Sequence, residues 1–444
     1  MLWNFTRRFQ FAADKVIPSS FVFCVILTLI VAVMALTMTD TGPIQLVTYW
    51  YDGLWTMISF AFQMTIMVVV CSAVAKAPAV ERVLSKIARL PKTPSGAYVT
   101  LIVVTCIAGY INWAFATILA PIFSMYLSKN IRGCHFPFMI TVGYSCMIMI
   151  QPICPSISVV ALLASPDHFL VEKIGVIPVS ATAFNPVGLL TFTALLGVTI
   201  LVSVFLRPPE SEVIEFTGEV QTLSSGGEDV VGEATLADRM NNSRILMWIL
   251  VLGGVVYLAY HFANGGGLSL NLVIFIFLVW AMFFYDTPIS FVHAMNDNMA
   301  NATQVMIQFP FYGGIMGIMA ASGLTMVMAN GLIGVASGST IYVFSYIAAS
   351  IVNLFVPSQG GQWIVQGPVL VEAAQALHAH IPTIATAFMF GDEATNLLQP
   401  LYIIPALALV KMELKQVWGL MAFLWLVWLV VTMLCLLILP GLFI

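Results

Sequence analysis

The sequence predicts an all-α integral membrane protein built from two inverted repeats, with about nine transmembrane helices and two re-entrant hairpins. Three observations support this fold class. Of the 444 residues, 60% are hydrophobic and only 8% are charged, whereas about a quarter of the residues of a soluble domain are charged. The basic residues alternate with apolar segments in a way that fits one membrane topology. A set of polar motifs also occurs once in each half of the chain.

The first repeat comprises residues 1–207 and is predicted to begin with a transmembrane helix. Three basic residues near the N-terminus precede an apolar run over 21–38, which is too long for the core of a signal peptide and has no convincing cleavage site. Because basic residues are retained in the cytoplasm, the N-terminus is predicted to be cytoplasmic. An outer loop over 39–53 and a second span over 54–75 follow.

The first re-entrant hairpin is predicted over about 96–128. Lys92 precedes this apolar stretch and Lys129 follows it, which places both of its ends on the cytoplasmic side. A polar break near Gly109–Trp113 leaves two arms of roughly 14 residues, or about 21 Å of helix, which is short for a hydrocarbon core about 30 Å thick. Two short complete spans would satisfy the same charge pattern.

A broken span over 136–164 and a span over 187–206 complete the first repeat, and residues 208–243 then form an acidic linker. The motif Gln151-Pro-Ile-Cys-Pro-Ser156 interrupts the broken span. The linker region holds 8 of the 20 acidic residues, which predicts a solvated cytoplasmic segment that joins the two halves. Nothing in the sequence suggests a nucleic acid partner.

The second repeat comprises residues 244–444 and contains the second hairpin, predicted over about 340–378. The motif Val-Pro-Ser-Gln-Gly-Gly-Gln-Trp-Ile-Val-Gln-Gly-Pro at 356–368 places a polar, helix-breaking tip between two short apolar arms. Irregular backbone at membrane depth is tolerated only where protein or a water-filled cavity satisfies its amides, although an extramembrane loop would fit the same residues. The other segments of this repeat are predicted at about 245–262, 269–285, 304–323, 383–410 (a broken span) and 416–440.

The two halves repeat the same motifs in the same order. Trp113 precedes Gln151 by 38 residues and Trp363 precedes Gln399 by 36, and a proline follows each glutamine. All basic residues except Lys173 are cytoplasmic in this topology, as the positive-inside rule requires. The topology enters the first hairpin from the cytoplasm and the second from outside, so the repeats are inverted. Inverted repeats with discontinuous helices are typical of secondary transporters, whose sites lie where the breaks meet.

Four motifs carry a resemblance to a known family. They are Ile111-Asn-Trp-Ala-Phe115, Ile307-Gln-Phe-Pro-Phe-Tyr-Gly-Gly-Ile315, the motif at 356–368, and Gly391-Asp-Glu-Ala-Thr-Asn-Leu-Leu-Gln-Pro400. They resemble the signatures of the bacterial short-chain fatty acid transporter family of the AtoE type, and the likeness extends over nearly the whole chain. The resemblance implies a carrier of the bacterial inner membrane with a scaffold domain and a moving, elevator-type transport domain. It also implies uptake of small monocarboxylates such as butyrate or acetoacetate, and it leaves a homodimer open.

A substrate anion in the second repeat would have no basic partner, since no Lys or Arg occurs between Arg244 and Lys411. Backbone N–H groups at the N-termini of half-helices would bind it instead, and two tryptophans would bound its apolar tail. Tight turning would explain the glycines equally well, and single aromatic residues in membrane helices are more often packing residues or interface anchors. The predicted substrate contacts are Asn112, Trp113, Gln151, Ser358, Gln359, Gly360, Gly361, Gln362, Trp363 and Asn396.

Acidic residues at membrane depth are costly and therefore indicate function. Asp392 and Glu393 lie in the predicted break of the 383–410 span, near Thr395, and could carry a coupled proton or help to coordinate Na⁺. A solvent-facing helix end is the alternative. Moving an anion inward against the membrane potential costs about 2.3 kcal/mol per charge per 100 mV, so the sequence predicts cation-coupled symport. No organic cofactor is expected, and whether a metal binds is unknown.

The sequence favours a carrier over an enzyme or a channel. An enzyme is disfavoured because the chain contains neither an HExxH nor a GxSxG motif. An anion channel stays an alternative, since re-entrant loops also build selectivity filters, but two differing hairpins in one chain suit alternating access better. The chain departs from the family pattern at 151–155, where a glycine-rich break would be expected. Lactate, another hydroxy acid or a dicarboxylate therefore remain alternative substrates.

Overall fold

Every regular element in the described part of the chain is a helix. The computed structural model describes residues 20–444 except 57, 156, 165, 167, 169, 207, 219–234, 268–269, 355–358 and 400–401. The predicted all-α class is therefore confirmed.

Eleven helices precede the linker in the described part of the chain. Their bounds are α1 Ser20–Met38, α2 Pro43–Thr56, α3 Ile58–Ala75, α4 Pro78–Ile87, α5 Pro94–Ile111, α6 Trp113–Asn130, α7 Phe136–Ile150, α8 Ser158–Leu163, α9 Val171–Ile174, α10 Val179–Thr182 and α11 Pro186–Phe205. A short 3-10 helix, Gln151–Ile153, follows α7.

The remaining helices begin at the end of the linker and continue to the C-terminus. Their bounds are α12 Leu236–Asn241, α13 Arg244–Ala263, α14 Leu270–Phe284, α15 Pro288–Ala321, α16 Leu324–Ile333, α17 Ile341–Asn353, α18 Gln359–Ala376, α19 Ile381–Thr395, α20 Ile404–Val410, α21 Lys415–Ile438 and α22 Pro440–Phe443.

Six helical segments of the described residues are long and apolar enough to cross a membrane. They are Pro43–Ala75, Pro94–Ile111, Phe136–Val160, Pro186–Phe205, Leu236–Ala263 and Lys415–Phe443. Shorter apolar helices are Cys24–Met38, Asn271–Phe284, Met306–Ala321 and Ile341–Asn353. A multi-pass membrane protein is thus confirmed, although length and composition select fewer segments than the nine predicted spans because several apolar helices are short.

The helices form two groups, of which the first combines α1–α3 with α13–α15. Helix α15 packs against α1, α2 and α3, and α14 packs against α3 and α13. The α2–α15 crossing is glycine-lined: a Cβ atom on Gly53 would lie 2.4 Å from the carbonyl oxygen of Gly313, and one on Gly317 would lie 2.3 Å from that of Tyr49. Small residues at such crossings let two backbones touch inside a membrane.

The second group contains two sets of three helices, and within each set every helix contacts the other two. Helices α5, α6 and α7 contact one another pairwise, and so do α17, α18 and α19. Helices α11 and α21 pack together beside both sets. The α17–α19 contact is backbone to backbone, since a Cβ atom on Gly391 would lie 2.2 Å from the carbonyl oxygen of Tyr346. Contacts of α6 with α3 and α20, and of α15 with α20, join the two groups.

Both predicted broken spans are interrupted where the sequence indicated. Helix α7 ends at Ile150, the 3-10 helix holds Gln151, and α8 begins at Ser158. Helix α19 ends at Thr395, and α20 begins only at Ile404. The sequence has a proline at each break, Pro152 and Pro400, which removes a backbone donor and so disfavours a continuous helix there.

The predicted form of the two hairpin tips is wrong in detail. The first pair of helices has arms of 18 residues rather than roughly 14, because only Asn112 leaves the helical conformation. In the second pair, α18 already begins at Gln359 and continues through Pro368, so most of the predicted irregular tip is helical. A glycine inside a helix costs about 1 kcal/mol, and packing outweighs this cost here. The ring of Trp363 packs so close to Gly367 that a Cβ atom on Gly367 would lie only 2.9 Å from it.

Two other predicted segments also differ. The predicted outer loop over 39–53 is largely helix α2, because the side chain of Trp50 packs on the glycine face of α15 at Gly314. The span predicted at 304–323 is the second half of the 34-residue helix α15. The linker is not solvated throughout: the Ile214 carbonyl accepts a hydrogen bond of 2.8 Å from the Phe136 N–H, and the Phe216 ring lies 4.8 Å from that of Phe136.

Candidate functional site

A cavity of about 220 Å³ lies where the starts of α6 and α18 meet the two helix breaks. Its walls combine amides, two carboxylates and apolar side chains, and they include no Lys or Arg of the described residues. The lining residues are Met64, Trp113, Met147, Ile148, Gln151, Ile157, Ser158, Gln359, Gly360, Asp392, Glu393, Asn396 and Tyr402. We call it the central cavity.

Two acidic residues form the polar side of the central cavity. Asp392 and Glu393 are 1% and 4% exposed, and they lie on the last turn of α19 rather than in the break itself, which begins at Asn396. Both oxygens of Glu393 accept amide hydrogen bonds, at 3.2 Å from Gln359 Nε2 and at 3.0 Å from Asn396 Nδ2. Oδ1 of Asp392 has no hydrogen-bond partner among the described residues. The two carboxylates therefore differ in how completely the protein satisfies them.

An amide network behind the acidic pair orients Asn396. The Oδ1 atom of Asn396 accepts from Asn353 Nδ2 at 2.9 Å and from Gln399 Nε2 at 2.8 Å. The same Asn353 amide donates to Thr395 Oγ1 at 3.0 Å, and the Thr395 hydroxyl donates to the Ser350 carbonyl at 2.9 Å. Because these side chains are buried, the network fixes the end of α19 against α17, and Thr395 serves it instead of the cavity.

At the start of α6, the two residues predicted as contacts have different positions. Asn112 has an extended backbone, and its Oδ1 accepts a hydrogen bond of 2.9 Å from the Phe115 N–H. It is therefore the N-cap of α6 and does not line the central cavity. Trp113 does line it, with its ring edge-on to that of Tyr402 at 5.3 Å.

At the start of α18, Gln359 connects three parts of the site. Its amide nitrogen donates to Glu393, and its oxygen accepts from the Val159 N–H at 3.4 Å. Gly360 follows, and a Cβ atom there would lie 3.3 Å from Ser158 Cβ, so the backbone approaches the start of α8 closely. The first-turn N–H groups of a helix have no acceptor within that helix, and two residues of this turn, Gln359 and Gly360, line the cavity.

Other predicted contacts of the second hairpin face away from the cavity. Gln362 donates to the Ala349 carbonyl of α17 at 2.9 Å, and Trp363 is fully buried against Phe388 at 4.9 Å. Gly361 is not among the lining residues either. These positions were predicted as an open tip, whereas the helix that begins at Gln359 turns them toward α17 and α19. Ser358 lies outside the described residues.

The structure brings together Trp113, Gln151, Gln359, Gly360, Asp392, Glu393 and Asn396 of the predicted residues. Sequence reasoning missed Ser158 and Tyr402, which each follow a Gln-Pro pair by a few residues. The pairs that predicted the breaks were thus a usable signal for both. Met64 of α3 carried no comparable signal, because it lies in a uniformly apolar helix. No group of three His, Cys, Asp or Glu side chains suited to a metal occurs in the described part.

Comparisons with known proteins agree with the predicted resemblance. Residues 1–439 match the family model described as short chain fatty acid transporter. A protein of Escherichia coli (strain K12), provisionally named a short-chain fatty acid transporter, is 28% identical over 421 residues, which cover 94% of this chain and 96% of that protein. A protein of Haemophilus influenzae with the same provisional name is 28% identical over 428 residues, with the same coverage.

Among solved structures, the Alcanivorax borkumensis YdaH transporter shares 14% sequence identity and has a TM-score of 0.49, over 96% of this chain and 98% of that one. The family model matches almost the entire sequence, and together with the two relatives it confirms the prediction of a transporter rather than an enzyme. The chain therefore belongs to the short-chain fatty acid transporter family and is a multi-pass membrane transport protein.

Proposed function

We propose that this protein is a secondary active transporter of the bacterial inner membrane that takes up short-chain monocarboxylates, of the butyrate and acetoacetate class, together with a cation. The observation that carries this proposal is the central cavity, which joins amide donors, an apolar wall and two buried carboxylates without any basic side chain. Family membership is consistent with the substrate class.

The substrate carboxylate binds to amide donors, and its hydrocarbon tail lies against the apolar wall. Donors are available at Gln359 and Gln151 and at the first turn of α18, while Met147, Ile148 and the Trp113 ring supply the wall. At about 220 Å³ the cavity is smaller than the 300–1,000 Å³ typical of sites for drug-sized ligands. A small acid of a few carbons is therefore the expected occupant.

The coupling cation compensates the negative charges that meet in the cavity. A buried carboxylate without a cationic partner costs several kcal/mol, and a substrate anion beside Asp392 and Glu393 would add repulsion. A proton on Asp392, or a Na⁺ held by carboxylate and carbonyl oxygens of the broken helix, removes this penalty. Transport of the neutral set then avoids the work of about 2.3 kcal/mol per charge per 100 mV.

The transport cycle uses the two groups of helices as scaffold and moving part. The group α1–α3 and α13–α15 is the scaffold, and the group with α5–α7 and α17–α19 carries the central cavity. The pairwise contacts within α5–α7 and within α17–α19 support a structural repeat, and the positions of the basic residues along the chain support its inversion and the two re-entrant hairpins. In this arrangement, residues 1–207 and 244–444 are the repeats, joined by the cytoplasmic linker, and the N-terminus is cytoplasmic.

Counterflow in proteoliposomes tests the proposal. Vesicles that contain the purified protein and are loaded with unlabelled butyrate should take up labelled butyrate faster than vesicles that contain the protein but no butyrate. The initial rate of uptake should saturate as the butyrate concentration rises. A carrier produces this acceleration because the loaded site returns faster than the empty one. Non-saturating uptake without counterflow would point to a channel and contradict the proposal.

A further inference from the structure

A second cavity, of about 500 Å³, lies at the end of α3. The next helix, α4, carries the exposed cations Arg82 and Lys86, and we call this side of the protein the basic face. The cavity is bordered by the end of α3, the start of α7, the loop after α20 and linker residues 214–218. Two of its lining residues, Lys76 and Lys411, are cationic, and Glu215 of the linker is its acidic member. We call it the Lys76 cavity.

Lys76 is unusual because a largely buried cationic residue has no bonded side-chain partner among the described residues. It is 8% exposed, and its ammonium group makes no hydrogen bond or ion pair with any described residue. Asp297 of α15 acts on it electrostatically but does not pair with it. Because Lys76 lines the cavity, its ammonium group can donate a charge-assisted hydrogen bond to an anionic acceptor held there.

The central cavity and the Lys76 cavity lie along the same three elements, which are α3, α6 and α20 with the residues just before it. Between them is a third, apolar void of about 10 Å³, which is room for about one water molecule. The three elements pass through central cavity, void and Lys76 cavity in the same order. The residues, in that order, are Met64, Val68 and Lys76 along α3 and just after its end; Trp113, Ile118 and Ile122 along α6; and Tyr402, Pro405 and Leu409 just before and along α20.

We propose that the Lys76 cavity is a second binding site for the transported carboxylate, which the anion occupies between the central cavity and the basic face of the protein. This inference rests on the proposed function. The apolar void at Val68, Ile118 and Pro405 separates the two sites in the present structure, and the Lys76 ammonium replaces the water that the carboxylate has lost on leaving solution. Lys411 adds positive charge at the same cavity.

Counterflow from each face tests this assignment in proteoliposomes of known orientation. Lys76→Gln should raise the half-saturating butyrate concentration about tenfold at the basic face, the effect of losing one charge-assisted hydrogen bond, and leave the opposite face unchanged. Lys76→Arg keeps the charge and should stay near the wild type. Lys86→Gln is the matched control, because it removes an exposed cation of α4 that does not line the cavity. Equal half-saturation of Lys76→Gln and wild type at the basic face would overturn the assignment.

A measurement on the unmodified sequence covers the case in which Lys76→Gln does not fold. Reductive methylation of the wild-type protein, followed by mass spectrometry, should proceed more slowly at Lys76 in the presence of butyrate, while Lys86 is modified at an unchanged rate. No protection, or equal protection by inorganic phosphate, would overturn a site for the transported carboxylate. If wild-type vesicles show no counterflow at all, the proposed function itself fails, and the second site fails with it.

Discussion

At the scale of single residues, Asp392 and Glu393 differ in the hydrogen bonds that their carboxylates accept. Glu393 is held by two amides, whereas Asp392 retains an unsatisfied buried oxygen at the same cavity. A carboxylate that already accepts two hydrogen bonds gains little from a proton or a metal ion. Asp392 is therefore the better candidate for the coupling group, and Glu393 is the fixed anchor of the network.

Asp392→Asn should separate exchange from accumulation. The amide keeps the shape of the side chain but cannot release a proton, so exchange of labelled for unlabelled butyrate should persist while gradient-driven accumulation is lost. Both are measured in the same proteoliposomes, with and without an imposed pH or Na⁺ gradient. Asp286→Asn is the control, because Asp286 is a partly exposed residue paired with Arg244 at 2.9 Å. Unchanged accumulation in Asp392→Asn would assign the coupling site elsewhere.

The sequence identified residue types better than side-chain directions. Asp392, Glu393 and Gln359 are predictable because polar residues within or beside apolar segments are rare and can be recognised directly in the sequence. Trp363 and Gln362 were assigned to the cavity because their neighbours suggested a loop. Their actual contacts with Phe388 and Ala349 depend on where α18 begins, and two glycines at a helix start do not reveal that.

At the scale of helices, close backbone contacts hold the site in place. The α17–α19 crossing has no room for a side chain at Gly391, where a Cβ atom would lie 2.2 Å from the carbonyl oxygen of Tyr346. This crossing positions Asp392 and Glu393, the next two residues of α19. A shift of the helix would therefore move the acidic pair directly.

Gly391→Ala should destabilise the protein by about 1–3 kcal/mol, the usual cost of overpacking a buried contact. Gly197→Ala on α11 is the control, because nothing lies within 4 Å of a Cβ atom there, and alanine favours a helix over glycine. Thermal unfolding in detergent compares the two variants with the wild type. If Gly391→Ala melted at the wild-type temperature, the tight crossing would be excluded.

His135 connects the linker to the start of α7 in a pH-dependent way. Its Nδ1 accepts a hydrogen bond of 3.1 Å from the Ile214 N–H, which requires a neutral ring. Burial lowers the pKa of His135 to about 4, although the negative charge of Glu212 raises it. The unfolded chain, with a His pKa of about 6.5, binds more protons between these values, so stability falls as the pH falls from about 6.5 toward 4.

Acidification should therefore release the linker contact. In the wild type, the hydrogen-exchange rate of residues 208–218 relative to the intrinsic rate at the same pH should be higher at pH 5.5 than at pH 7. In His135→Gln, whose side chain can still accept the Ile214 hydrogen bond but does not titrate in this range, exchange should depend less on pH after correction for the intrinsic rate. The same pH dependence in both proteins would show that another group controls this segment.

The breaks were easier to predict from the sequence than the helix ends. Gln-Pro pairs marked both interruptions, because proline removes a donor wherever it stands. Pro121 and Pro368 nevertheless lie inside α6 and α18, and the first hairpin has longer arms than expected. Packing against α7 and α19 overrides local preference at these positions, and the sequence does not display that packing.

At the scale of the whole molecule, the proposed topology predicts that α5 and α6 form a re-entrant hairpin and do not each cross the membrane. If they form a re-entrant hairpin, the residues at the start of α5 and at the end of α6 face the same side of the membrane. Each helix has 18 residues, or about 27 Å at 1.5 Å per residue, so length alone does not exclude two complete spans. Two complete spans would also return the chain to its starting side, and the position of Asn112 is what distinguishes the two topologies.

Cysteine labelling at three positions tests this topology. A thiol at Ser95 and one at Lys129 should react with a membrane-impermeant reagent from the same side, and one at Asn112 should react slowly and be protected by butyrate, because the tip lies near the central cavity. The seven native cysteines, mostly buried, are first replaced. Fast labelling at Asn112 from the opposite side would establish two complete spans.

The most direct test of the account is to locate the substrate in the molecule. A crystal of the protein with a bromine-substituted butyrate gives an anomalous signal at the bromine atom. We expect a peak in the central cavity between Trp113 and Met147, with the carboxylate at Gln359 and the start of α18. A bromine peak outside the central cavity, with that cavity unoccupied at saturating ligand, would contradict the assignment of this site to the transported carboxylate.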